Sequence, residues 1–236
     1  PTEPALSQYN TIIIGAGAAG LHCASFAVRS GRTLVIDHAK APGEKIRISG
    51  GGRCNFTNIH TGPANFLSQN PHFAKSALAR YTPDDFITQM ARHQIAYHEK
   101  TLGQLFCDNS AKDIIQMLLG DMAPAELRLD TSVKDITKTN SGFTLVLSDT
   151  TTLATQNLVI ATGGKSIPKM GATGFGYQIA RQFGHDIVET RPGLVPLTFG
   201  DEDLTLMTPL AGVALDASVS ANATTFNEAM LFTHRG

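Results

Sequence analysis

The sequence predicts an α/β fold: a doubly wound parallel sheet that carries a β-meander, followed by the start of a β-rich second domain. Three observations predict it. The apolar run Thr11-Ile12-Ile13-Ile14 leads straight into the glycine turn Gly15-Ala16-Gly17-Ala18-Ala19-Gly20, and then into small and apolar residues at helical spacing that stop at Ser30-Gly31. A second apolar run, Thr33-Leu34-Val35-Ile36, ends in Asp37. A third, Leu158-Val159-Ile160-Ala161, returns far along the chain and closes in Thr162-Gly163-Gly164. Short, β-branched runs of this kind fit strands buried on both faces.

The first unit reads strand, glycine turn, helix, strand, acid, with the acid about 20 residues beyond the turn, which is the dinucleotide-binding fingerprint. Gly15 permits the tight turn. Gly17 lets the backbone approach a pyrophosphate, and Gly20 lets helix and strand pack closely. The helix N-terminus, with Ala16, Ala18 and Ala19 between the glycines, presents free N–H groups and a partial positive charge to phosphates. Asp37 would accept hydrogen bonds from ribose hydroxyls.

The stretch 38–60 holds the second cluster of signals. Gly50-Gly51-Gly52 is costly in conformational entropy and suits a backbone lying against something flat and bulky. Lys45, Ser49, Arg53, Asn55 and Thr57 surround it as donors for phosphate and ring heteroatoms. Its place after the second strand, at the ligand edge of such a sheet, favours function over a plain surface loop.

Residues 64–124 read as a mostly helical insertion. Helices are predicted over 71–80, 83–93 and 111–120, the last capped by Asn109 or Ser110, with short strands at 95–99 and 104–107. His93, His98 and Cys107 stand in no spacing that supports a ligand or catalytic role. Residues 127–153 read as the meander, with turns at Asn140-Ser141-Gly142 and Asp149-Thr150. The glycine-rich loop 166–176 enters a helix over 177–183, capped by Thr173 or Gly174. Past Arg191-Pro192-Gly193 the pattern changes to short strands over 194–199, 210–215, 217–221 and 230–233, with no convincing helix. The domain boundary is therefore expected between residues 192 and 193.

The 236 residues are 42% hydrophobic and 17% charged, with net charge −1. Lys and Arg are scattered, which argues against a nucleic-acid surface. No apolar run reaches bilayer length, so no membrane association is expected. The cysteines are widely spaced and match no metal-ligand pattern, so no metal is expected and a reducing, cytoplasmic setting is. The partner expected is a small-molecule substrate; the oligomeric state stays open. Residues 230–236 lack the polar character of a natural terminus.

Together the glycine turn, Ile48-Ser49-Gly50-Gly51-Gly52-Arg53-Cys54-Asn55-Phe56-Thr57-Asn58 and Ala161-Thr162-Gly163-Gly164-Lys165-Ser166 resemble the BaiN/RdsA-like (YhiN-like) flavoproteins, bacterial NAD(P)/FAD-dependent oxidoreductases. The resemblance also covers 171–185 and Leu194-Val195-Pro196-Leu197. It implies a Rossmann-like FAD-binding domain. Gly15, Gly17 and Gly20 would serve the pyrophosphate, and Asp37, with His38 beside it, the ribose. Val133 would meet adenine through its backbone. Gly51, Gly52, Arg53, Cys54 and Asn55 would lie by the pyrophosphate, ribityl chain and flavin. The family more often has Glu at the position of Asp37, and it continues past Gly236, so the chain is expected to be cut short of a longer product.

The function this implies is an FAD-dependent oxidoreductase in which the flavin carries hydride. No second glycine fingerprint follows a strand, so NAD(P)H would dock transiently as electron donor. Cys54, without a C-x-x-C partner, reads as a cofactor neighbour rather than a nucleophile, and no catalytic acid or base is named. The alternatives are an NAD(P)-binding dehydrogenase and a non-catalytic flavin redox sensor. A flavin-dependent tRNA-modifying enzyme is disfavoured by the balanced charge.

Overall fold

The computed structural model describes residues 7–167, 171, 173–193 and 195–236. The chain divides into two compact units, Pro1–Ile187 and Val188–Gly236. In chain order the first holds β1 (Ser7–Ile14), α1 (Ala18–Ala27), β2 (Thr33–Ile36), α2 (Glu44–Ile48), β3 (Asn55–Asn58), α3 (Lys75–Arg80), α4 (Pro83–Arg92), β4 (Tyr97–Glu99), β5 (Gln104–Cys107), α5 (Ala111–Asp121), β6 (Glu126–Arg128), β7 (Val133–Thr139), β8 (Gly142–Leu147), β9 (Thr152–Ile160) and α6 (Phe175–Gln182). The second holds α7 (Asp201–Met207) and the antiparallel hairpin of β10 (Ala214–Ala221) and β11 (Thr224–Leu231).

The main sheet has strand order β6-β2-β1-β9-β8-β7. Its first four strands are parallel; β8 and β7 run antiparallel. Both faces are covered at its centre, which is why Ile12, Ile13 and Ile14 of β1 and Leu34, Val35 and Ile36 of β2 form unbroken apolar runs. Ile13 and Val35 pack on one face with Leu21 and Ala24 of α1 and Ile114, Ile115 and Leu118 of α5. Ile12, Ile14, Leu34 and Ile36 pack on the other with Ile136, Leu145, Leu147, Leu153 and Ile179 of α6. This is the doubly wound α/β arrangement that the sequence predicts. A small antiparallel sheet, in the order β3-β5-β4, stands apart from it.

Several elements differ from expectation. Leu127 and Arg128 belong to β6, a parallel edge strand beside β2, and not to the meander, which begins at Val133. Three residues carry no readable period, so tertiary pairing alone assigns that strand. The meander and the returning core strand are one element: β9 pairs antiparallel with β8 over its first residues and parallel with β1 along its length. Helix α3 begins at Lys75, after the Pro71 start that the sequence suggests. Short α2 and β3 occupy the donor-rich stretch that reads as loop.

In the second unit, α7 is a helix where none is expected. Gly200 is its N-cap, and Asp201, Glu202 and Asp203 in its first turn suit the positive end of the helix dipole. The strand expected over 194–199 is absent from 195–199, while Leu194 lies outside the described residues. Part of the glycine-rich loop, 168–170 and 172, lies outside them as well. Among the described residues no helix is long and apolar enough to cross a membrane.

Candidate functional site

The carboxyl ends of β1, β2 and β9 lie side by side, with Ile14 paired to Ile36 on one flank and to Ile160 on the other. The chain leaves all three strands at this edge. The Gly15 N–H donates to the Ile36 carbonyl at 2.7 Å, and the Ala161 N–H donates to the Ile14 carbonyl at 2.8 Å. The three fingerprint glycines then do different work. Gly15 has φ +114°, and a Cβ there would lie 2.6 Å from the Ala161 carbonyl carbon. A Cβ on Gly20 would collide with the Gly15 carbonyl oxygen. Around Gly17 there is nothing within 4 Å, so its open side is left for a ligand.

Gly17 is also the N-cap of α1 and supplies no side-chain cap, and Ala18 and Ala19 are exposed. The first-turn N–H groups of α1 are thus free to meet an anion. Asp37 is already anchored: it accepts from the Ala16 N–H at 2.6 Å and from the Ala39 N–H at 2.8 Å. Its main chain bonds Arg128 and Thr131, which draws the approach to Val133 beside it. The exposed His38 lies beside the largely buried carboxylate, its Nδ1 3.4 Å from Asp37 Oδ1. The double anchorage of Asp37, by Ala16 of the glycine turn and by Ala39 just after it, has no signature in the sequence.

The second stretch is tied to the first. The Gly43 N–H donates to the Ala16 carbonyl at 2.8 Å, and Lys45 Nζ donates to Ser166 Oγ, at the end of the third stretch, at 2.8 Å. Gly50, Gly51 and Gly52 take φ values of 57°, 66° and 89°, and Cys54 one of 52°. A run of left-handed residues is why glycine is repeated there. Gly50 lies against the Phe106 ring, where a Cβ would come within 2.6 Å of Cε1; Gly51 meets nothing within 4 Å. Arg53 and Asn55 are exposed, and Ser49 and Thr57 half-buried.

The Cys54 N–H donates to the Ser49 carbonyl. Its thiol is buried, and burial pushes its pKa up against the pull of a hydrogen bond with Ser49. Cys107 is pushed up to about 12, first by burial and then by Cys54, Asp113 and Asp108. Both are thiols at neutral pH, hence poor nucleophiles.

In the third stretch Gly163, at φ +73°, also meets nothing within 4 Å, while Gly164 and Thr162 face Tyr177 and Gly176 of α6. One residue escapes the sequence reading. Arg47 in α2 buries its Nε with no hydrogen-bond partner among the described residues. A cation between Ile46 and Ile48 in a donor-rich stretch was the available signal. Buried unpaired donors of this kind call for an acceptor. Open glycine faces, free helix N–H groups, an anchored carboxylate and this guanidinium together fit a dinucleotide with its pyrophosphate on α1.

The HI0933-like protein Rossmann domain model matches residues 9–225. The chain belongs to that family. Two relatives of this HI0933-like domain are ribosomal RNA dihydrouridine synthases. That of Escherichia coli (strain K12) is 52% identical over 235 residues, spanning 98% of this chain and 58% of the relative. That of Haemophilus influenzae is 47% identical over 239 residues, spanning 98% and 59%. A third, the 3-dehydro-bile acid delta(4,6)-reductase of Clostridium scindens, is 26% identical over 215 residues, 89% of this chain and 51% of that one. The chain thus spans less than two thirds of these relatives. The resemblance to the BaiN/RdsA-like group drawn from the motifs holds. Among solved structures, the open conformation of a flavocytochrome c3 fumarate reductase shares the fold, with TM-score 0.51 and 17% identity over 77% of this chain and 41% of that one.

Proposed function

We propose that the protein is the FAD-binding part of an NAD(P)H-dependent reductase that saturates a carbon–carbon double bond conjugated to a carbonyl, with a uracil ring in ribosomal RNA as its substrate. One observation carries the cofactor: three backbone bends, at Gly15–Gly20, 43–54 and 161–166, are tied together at one sheet edge and leave the faces of Gly17, Gly51 and Gly163 open. When bound, FAD supplies hydride chemistry, which no side chain offers. The chain's own residues do the holding. The first-turn N–H groups of α1 meet the pyrophosphate, Asp37 accepts from the ribose, the turn from Gly50 to Asn55 lies by the flavin, and Arg47 adds a cation from α2. On this reading residues 1–192 form the FAD domain and 193–236 begin an inserted one, and the protonated thiols suit the cytoplasm.

The relatives support the reaction class, because dihydrouridine formation and delta(4,6) reduction of a 3-oxo steroid both saturate a double bond beside a carbonyl. Identity of 52% and 47% to the two synthases favours RNA. Net charge −1 favours the other reading, a free small-molecule substrate. The test uses the full-length protein. It is expected to show a flavin spectrum, to bleach anaerobically with NADH or NADPH, and to recover its colour when unmodified transcribed ribosomal RNA is added. Mass spectrometry of the digested RNA is expected to show a uridine heavier by two hydrogens. A protein that stays colourless with added FAD overturns the cofactor; one reoxidised by a cyclic enone but not by RNA moves the substrate to the small-molecule class.

A further inference from the structure

We infer that His98, held by Asp108, is the proton donor to the substrate; this rests on the reductase reading above. Three strands place it. β3 emerges directly from the triple-glycine turn, and its Asn55 pairs with Phe106 of β5, which pairs in turn with His98 of β4. Directly paired residues share one face of a sheet. Asn55, Phe106 and His98 therefore form one row, and Gly50 lies against the Phe106 ring in the middle of it. The row runs outward from the turn assigned to the flavin. At about 4.8 Å per strand, Asn55 and His98 stand roughly 10 Å apart, with the Phe106 ring between them.

The row is aromatic from its centre to His98. His98 stacks on Phe106 with planes 19° apart and centroids at 6.2 Å, and Lys100 Nζ lies 5.4 Å from the Phe106 centroid. His98 Nδ1 is 2.7 Å from Asp108 Oδ1, so the carboxylate fixes the ring's orientation. Nε2 makes no hydrogen bond among the described residues, and the side chain is 44% exposed. An oriented, accessible imidazole with one nitrogen free is the arrangement of a general acid. His93 makes a similar pair with Asp121 at 2.8 Å, but at the C-terminal ends of α4 and α5 and not on these strands.

In the step, His98 Nε2 gives its proton to the carbon next to the carbonyl as hydride, drawn ultimately from the nicotinamide, adds to the far carbon of the double bond. The π pair becomes the new C–H bond at the near carbon, and the neutral imidazole is reprotonated from water. Asp108 is a positioning residue.

The experiment compares wild type, His98→Gln, His98→Ala, Asp108→Asn and, as control, His93→Gln, all full-length and loaded with FAD. Flavin spectra and anaerobic reduction by NADH or NADPH are expected to be unchanged throughout. Reoxidation by transcribed ribosomal RNA or by 2-cyclohexenone is expected to slow roughly 10²- to 10⁴-fold in the His98 variants. Asp108→Asn is expected to slow it less, His93→Gln not at all, and added imidazole to rescue His98→Ala. In the ¹⁵N-histidine spectrum of wild type, the His98 Nε2 signal is expected to move when RNA binds. Unchanged reoxidation in His98→Gln, or a His98→Ala defect that imidazole leaves untouched, overturns the assignment alone. A wild type reoxidised by neither acceptor overturns the reductase reading and the assignment with it.

Discussion

Single atoms decide much at the glycine turn. Gly17 has ordinary extended backbone and open space, whereas Gly20 faces the Gly15 carbonyl. Gly17→Ala is therefore expected to leave the melting temperature unchanged while weakening FAD binding roughly tenfold, which corresponds to about 1.4 kcal/mol. Gly20→Ala is expected to destabilise the fold itself by about 1–3 kcal/mol, as overpacking does. Thermal melts and FAD titrations of the two variants separate the roles. Cys107 offers a test by pH. The folded chain holds its proton to about 12, while the unfolded thiol gives it up near 9.0, so the unfolded state binds fewer protons between those values. Stability is thus expected to fall as pH rises through that window, and the fall to be shallower in Cys107→Ala. Urea titrations of both proteins across the alkaline range measure it.

Helices and strands were legible where their own residues settle them. Helix α5 shows its apolar side in Ile114, Ile115, Met117 and Leu118, and Ser110 accepts from the Lys112 N–H as the expected cap. Ser110→Ala is expected to cost about 1 kcal/mol, lowering the melting temperature by roughly 2–4 °C in a chain of this size. The sequence misplaces β6 because three half-buried residues at a sheet edge owe their state to β2. The sequence hides α7 because its signals, a glycine cap and acids in the first turn, carry no apolar period. His98 passed as an unplaced histidine for a related reason: its partner Asp108 and its row-mate Asn55 come together only through the pairing of β3, β5 and β4.

For the whole first unit, the glycine bends and the parallel core announce themselves because steric demands and continuous burial restrict which residues fit. What stays hidden is how the bends are joined, since the Ala16–Asp37, Gly43–Ala16 and Lys45–Ser166 bonds link atoms that any residue, or many, could supply. The central place of β9 has a consequence for biosynthesis. That strand sits between β1 and β8, and the residues just after it, Ala161 and Thr162, close over Gly15. A nascent chain on the ribosome therefore holds β1 and its glycine bend without their neighbour until Ile160 has left the exit tunnel, a long loop closure of the kind that slows folding. Cofactor capture waits for that moment. Ribosome-stalled fragments ending upstream of β9 are expected to bind no flavin, and those with Gly164 clear of the tunnel to begin to do so.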